Sequence, residues 1–394
     1  MADARSQPSG FEASRYTPAV LWLSFNSGAA SPASATPTAS AASPAAASFL
    51  DLTLVAPEGE PIGKRVPVNQ AEFSTLLRAL YSQLSRQQSL DVGNAASPSR
   101  VLYSLLIAPM AADLQRLGVT TLLVAADPGL QAVPLAALHD GAQYFGERYA
   151  FSLTPSIGLT SLTVPETAAD ARQLCAGSSR FEGLAPLPLV PQEISRISGE
   201  KGETYFDQAF TPSVLLQKVA DTKVARVHVA THAEFLPGGP SQSRLFTGTG
   251  SIPLDRFAEM RQRRRGQPID LIALSACRTA LGDRDSELGF AGLALQAGAR
   301  SAIGTLWYVD DVATSAFFVQ FYRYLYQGLP KAEALQATRL AMARGQIRLE
   351  GERVLGPDGR PLLEQLSATQ QRRVRDGLDH PFFWSGISLL GAPW

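Results

Sequence analysis

Between residues 119 and 307 the chain repeats one pattern: a short, almost wholly apolar run, a break, and then residues at helical spacing. The runs are VTTLLVAAD (119–127), YAFSLTPS (149–156), RQLCAGSS (172–179), KVARVHVATH (223–232), PIDLIALSAC (268–277) and RSAIGTLW (300–307). A half-exposed strand alternates apolar and polar residues, so runs with no polar face belong to strands buried on both sides. The helical candidates are PQEISRISG (191–199), TPSVLLQKVA (211–220), LGFAGLALQAGA (288–299) and VATSAFFVQFYRYLYQG (312–328). Strands of this kind, separated by helices, predict a three-layer α/β/α sandwich around a mainly parallel sheet.

The upstream third reads differently. AVLWLSF (19–25) and FLDLTLVAPEGEPIGKRVPV (49–68) combine β-branched and aromatic residues with turn signals, and predict a small antiparallel sheet. Between them, residues 28–48 contain only Gly, Ala, Ser, Pro and Thr. With no large side chain to bury, this run is expected to be a disordered loop at the hairpin tip. NQAEFSTLLRALYSQLSR (69–86) and SPSRVLYSLLIAPMAADLQRL (97–117) are expected to be helical. A length of 394 residues accommodates two domains, here a smaller α/β region over 16–155 and the α/β/α domain over 156–394.

Composition narrows the function. Lys and Arg total 35 and so do Asp and Glu, which leaves no net field to gather nucleic acid or acidic lipid. Two cysteines do not make a disulfide framework, so a reducing, cytoplasmic setting is expected. No apolar run reaches the roughly 20 residues of a membrane span.

Two of the predicted strands end in reactive groups. KVARVHVATH ends at His232 and PIDLIALSAC at Cys277, 45 residues later. In an open parallel sheet, ligands bind beyond the carboxyl ends of the strands. If the two strands are neighbours, the imidazole and the thiol face each other there, and an adjacent imidazole supplies the thiolate that attacks a carbonyl. A His about 50 residues before a Cys is the spacing of one family of cysteine proteases.

At these residues the chain resembles the CHAT family, caspase- and separase-like cysteine proteases of the caspase clan. VHVATHAEF and LIALSACRTALG resemble its His and Cys segments, LLVAADPGLQAVPLAALHDG (122–141) its preceding strand and turn, LALQAGARSAIGTLWYVDD (293–311) its post-cysteine helix and strand, and HPFFWSGISLLGAPW (380–394) its closing strand. The resemblance implies a caspase-like fold over 156–394, preceded by a regulatory or degenerate caspase-like half. It implies cleavage of a protein substrate by a Cys277–His232 dyad without metal or organic cofactor. The N–H groups of Ala233 and Cys277 would hold the oxyanion. The family usually has Gly where this chain has Ala233, a residue that tolerates positive φ poorly. Asp310 and Asp311, after the LW segment, read either as a solvated acidic turn or as a substrate pocket, and the resemblance to separase-like relatives implies the pocket, with one of them receiving a basic P1 side chain. Bacterial family members are switched proteases, some activated by a partner and some cutting a gasdermin-like pore-former in defence against phage.

Plainer readings stand beside these. Cys277 could be an ordinary buried thiol, since free cysteine is among the most buried residue types. Cys175 reads as structural, His228 as a hydrogen-bonded core histidine, and His139 and His380 as architectural. His228 with His232 lacks the further ligands of a zinc pattern. The arginine run RQRRR (261–265) reads as a solvated helix end. A non-catalytic interaction module on a protease fold is the main alternative. A serine hydrolase is disfavoured by the lack of a G-x-S-x-G elbow.

Overall fold

The computed structural model describes residues 17–27, 48–127, 129–154, 157–160, 171–199, 202–234, 241–275, 289–307 and 310–394. The chain opens with β1 (Pro18–Ser27), β2 (Ser48–Val55), β3 (Ile62–Val68), α1 (Gln70–Ser85), α2 (Pro98–Leu106), α3 (Ala108–Arg116), β4 (Thr121–Ala126), α4 (Phe145–Arg148) and β5 (Ala150–Thr154). Next come β6 (Arg172–Gly177), α5 (Val190–Ile197), β7 (Gly202–Phe206), α6 (Pro212–Ala220), β8 (Val224–Ala230), β9 (Ala233–Glu234), β10 (Arg244–Thr247), β11 (Gly250–Pro253), α7 (Glu259–Arg263) and β12 (Ile269–Ser275). The remainder is α8 (Gly289–Gln296), β13 (Ala299–Thr305), α9 (Asp311–Tyr326), α10 (Lys331–Ala343), β14 (Arg348–Glu350), β15 (Arg353–Leu355), β16 (Pro361–Leu363), α11 (Ala368–Val374) and β17 (Ile387–Gly391).

Eleven of these strands form one sheet in the order β3-β2-β1-β4-β5-β17-β13-β12-β8-β6-β7. The upstream hairpin is therefore no separate sheet. β1 pairs β2 antiparallel as the turn signals predict, but its other edge pairs β4 in parallel and joins the whole. The boundary expected at residue 155 falls between β5 and β6. The closing strand β17 bridges it, parallel to β5 on one side and antiparallel to β13 on the other. Apart from β2, the strands of the two halves thus run in opposite directions. Ser48 opens β2, and residues 28–47 of the expected loop lie outside the described residues.

Burial follows the sequence pattern. β4, β5 and β17 are buried throughout, and β12 and β13 nearly so. In β2 only alternate residues are buried, as a sheet with one covered face requires. The helix expected over 97–117 breaks at Ile107 into α2 and α3. Pro109 has no N–H to give and its ring clashes with the carbonyl four residues back, so the first helix cannot continue. Trp307, just past β13, ties the halves together. Its indole N–H donates to the Phe382 carbonyl at 3.0 Å, and Tyr81 of α1 meets its ring edge-on at 5.7 Å. Gly386 lies so close that a Cβ there would sit 2.6 Å from the Trp307 ring.

The arginine run departs from the solvated reading at one position. Arg261, Arg263 and Arg265 are exposed, but Arg264 is 1% exposed. Its guanidinium donates to the carbonyls of Val219, Asp221, Val224, Gln267 and Pro268 at 2.5 to 3.2 Å. Val219 belongs to the last turn of α6, where unpaired carbonyls and the negative helix end favour a cation. Arg264→Ala would leave several buried carbonyls without donors, and is expected to cost at least about 3 kcal/mol. Arg264→Lys should recover little, because an ammonium cannot span that fork. A shift of the urea midpoint at constant slope measures both; an unshifted midpoint would mean water replaces the side chain.

Candidate active site

Chain order places the site before any side chain is considered. From β6 the chain moves outward through α5 to the edge strand β7, then returns through α6 to β8 on the other side of β6. Loops leaving β6 and β8 therefore part in opposite directions at the carboxyl rim, and such a switch point opens a crevice. His232 lies there, two residues past the end of β8.

The neighbour relations expected from the sequence hold. β12 pairs β8 in parallel with Ser275 opposite Ala230, and the Thr231 N–H donates to the Ser275 carbonyl at 3.2 Å. β13 is the next parallel strand beyond β12. Cys277 lies outside the described residues. Ser275, two residues before it, ends β12 level with Ala230, two residues before His232.

His232 is held by a segment that the sequence reading did not single out. Its Nε2 lies 2.8 Å from the Ala185 carbonyl, in the loop that follows β6, and the Phe181 ring packs against the imidazole at 4.6 Å. A carbonyl only accepts, so Nε2 carries the proton and Nδ1 of the neutral ring is the nitrogen left to take one. Below it, the Phe246 N–H of β10 donates to the His232 carbonyl at 3.0 Å, and Thr231 Oγ1 donates to the Phe246 carbonyl at 2.9 Å. Ala233 begins β9 and pairs with Leu245. It is absent from the residues with left-handed backbone, so alanine in place of glycine meets no φ cost here.

Both aspartates sit at the amino end of α9, which the path from β13 brings to the same rim. Asp310 caps the helix, accepting from Val312 N at 2.8 Å and Ala313 N at 3.3 Å, and Arg373 approaches it at 3.8 Å. Asp311 lies near the Leu189 N–H at the start of α5. Burial above all, then the charge of Glu193 and that of Asp310, push its carboxyl up to about 7. Glu193, 1% exposed, accepts from Ser315 Oγ at 2.7 Å and lies 2.9 Å from His228 Nε2. Three carboxylates thus crowd one spot, with the largely exposed Arg373 beside them.

The other histidines and the second thiol are structural, as expected. His228 is fully buried against Phe318 and Tyr322. His139 Nδ1 accepts from the Gly141 N–H, and His380 Nδ1 from the Phe382 N–H, each closing a turn. Burial pushes the Cys175 thiol up to about 12, which leaves no thiolate for attack. No metal-holding cluster of His, Cys, Asp and Glu occurs among the described residues, and no described helix is long and apolar enough to cross a membrane.

Known structures share the fold at low sequence identity. The separase of the Saccharomyces cerevisiae separase–securin complex superposes with a TM-score of 0.52 at 10% identity, covering 96% of this chain and 30% of that one. The Arg-specific cysteine proteinase gingipain R gives 0.46 at 11% identity, covering 82% of this chain and 75% of its own. The complex of Porphyromonas gingivalis RgpB pro- and mature domains gives 0.47 at 10%, covering 83% and 77%. No curated protein sequence matches the chain. The likeness to separase shows a caspase-like fold. The sequence pattern of the CHAT domain matches residues 96–392, three-quarters of the chain, and the protein therefore belongs to the CHAT domain family.

Proposed function

We propose that the protein is a cysteine endopeptidase in which His232 and Cys277 form the dyad. The observation that carries this reading is the Nε2 contact of His232 with Ala185, made at the switch point beside the strand that leads into Cys277. A base held in this tautomer offers Nδ1. The thiol proton passes to Nδ1 and the sulfur attacks the scissile carbonyl, whose oxyanion is held by the N–H groups of Ala233 and Cys277. Collapse breaks the C–N bond, and the imidazolium returns its proton to the leaving amine. Water, deprotonated by Nδ1, then cleaves the thioester to a carboxylic acid and frees the thiol. Asp311 receives a basic P1 side chain in this proposal. Asp310 has its carboxylate committed to the helix cap, which makes it the lesser candidate. The family resemblance extends the reading to a regulated bacterial enzyme cutting a partner such as a gasdermin-like pore-former.

The test is mass-spectrometric profiling of cleavages in a proteome-derived peptide library. Wild type is expected to cut after Lys or Arg, and Cys277→Ala is expected to cut nothing. Equal cleavage by Cys277→Ala would sink the dyad. Failure of a thiol-directed peptide probe to label Cys277 would favour the non-catalytic alternative.

A further inference from the structure

A closed ring of contacts runs from His232 through the loop after β6 and back. The loop leaves the sheet where Ser178 N donates to the Ala230 carbonyl at 3.1 Å, and it is cinched where Leu187 N donates to the Ser179 carbonyl at 3.0 Å. Between those points Ala185 and Phe181 reach His232. Residues 182–186 and 188 are exposed, so packing does not hold this stretch in place.

Its anchor is Asp207, on the turn after the edge strand β7. One carboxylate oxygen accepts from Ser179 N at 2.6 Å, Ser179 Oγ at 3.1 Å and Ser178 Oγ at 3.3 Å, and the other accepts from Ser179 Oγ at 3.1 Å. Asp207 has a φ of 42°, in the left-handed region that side chains other than glycine rarely adopt. Such a conformation persists only where surroundings over-determine it. They do so here. The Asp207 carbonyl accepts from Phe210 N at 2.9 Å, and the Phe210 carbonyl accepts from Gly248 N at 2.8 Å. A Cβ on Gly248 would lie 1.7 Å from the Asp207 oxygen, so the β10–β11 turn rests directly on this peptide. β10 in turn holds His232 through Phe246, which closes the ring.

We propose that Asp207 is a positioning residue for the base: its carboxylate fixes the loop 178–189, and that loop's Ala185 carbonyl and Phe181 ring set the tautomer and direction of the His232 imidazole. The inference rests on His232 being the base of the proposed protease.

The test pairs steady-state kinetics on a peptide substrate with nitrogen-15 NMR of the four histidines. Asp207→Gly removes the carboxylate without a φ penalty. It is expected to lower kcat by roughly 10- to 100-fold, as small misplacements of a catalytic group do. KM should stay within about threefold, because binding contacts are untouched. The His232 nitrogen signals should move from the Nε2–H pattern toward a tautomer average. Asp207→Asn keeps an acceptor for Ser179 N and tolerates the backbone, so it should rescue both readouts. Should Asp207→Gly fail to fold, Ser179→Ala removes two of the four contacts without touching the backbone, and should shift both readouts the same way. His232 signals unchanged in the folded variants would overturn the proposal. If the wild type cleaves nothing yet the variants shift His232, the clamp stands and the protease reading falls.

Discussion

His232→Ala is expected to stop peptide cleavage while leaving the melting temperature within a few degrees of wild type, and His228→Ala is expected to unsettle the fold. The two imidazoles lie four residues apart on one strand path and both are buried, but they differ in what their removal uncovers. His232 is at the rim, and its side-chain hydrogen-bond partner is the carbonyl of exposed Ala185, which water can satisfy once the ring is gone. Losing a general acid–base typically costs roughly 10²–10⁴-fold in rate. His228 is 0% exposed, and the carboxylate it faces, Glu193, is 1% exposed. Removing the ring leaves a cavity and takes a partner from a buried carboxylate, a loss of about 3 kcal/mol. Reporter-peptide kinetics and thermal melts on both variants decide the matter. An active His232→Ala beside a stable His228→Ala would show the roles assigned the wrong way round.

That the two histidines could be told apart from sequence has a simple cause. Residues four apart on a strand share a face, so only position along the strand separates them, and His228 falls inside the run while His232 falls at its end. The strands of the central sheet were legible for a related reason, because an apolar run without a polar face has few other homes. Short or weakly apolar elements were not. β7 (GETYF) carries little hydrophobic signal, and β9 is two residues long, so neither stands out. β17 was visible only through family resemblance, yet it joins the two halves of the sheet. The clamp on His232 was invisible for a deeper reason. Ala185 acts through its main-chain carbonyl, which every residue possesses, and Asp207 acts through a loop 18 or more residues before it. No side-chain pattern encodes either. Arg264 misled in the opposite sense, since four of the five residues in its run do face solvent.

Asp311→Asn is expected to abolish the preference for basic P1 residues and, at the same time, to stabilise the protein at alkaline pH. Both effects follow from a half-buried carboxyl lifted to about 7 by desolvation and by the charges of Glu193 and Asp310. In the unfolded chain an aspartate titrates near 3.9, so between about pH 4 and 7 the unfolded state sheds a proton that the folded state keeps. Stability therefore falls as pH rises through that window, by at most about 4 kcal/mol when complete above pH 7. The amide has no proton to lose, so the variant should escape the fall. Below about pH 4 the two proteins should converge. The same ionisation creates the charge that a P1 lysine or arginine would meet. In wild type, kcat/KM for a basic substrate should rise through pH 7, since that ratio reports the free enzyme. In Asp311→Asn the P1 cation loses its desolvated partner, a loss of about 2–5 kcal/mol, or roughly 30- to several thousand-fold in kcat/KM. Cleavage after an apolar P1 should change far less. Denaturation curves at pH 4 and pH 8, with kcat/KM for matched Arg and Leu substrates, measure all of this. A variant that gains stability at pH 8 yet keeps its preference for arginine would show that Asp311 is a strained capping residue and that the P1 cation is read elsewhere.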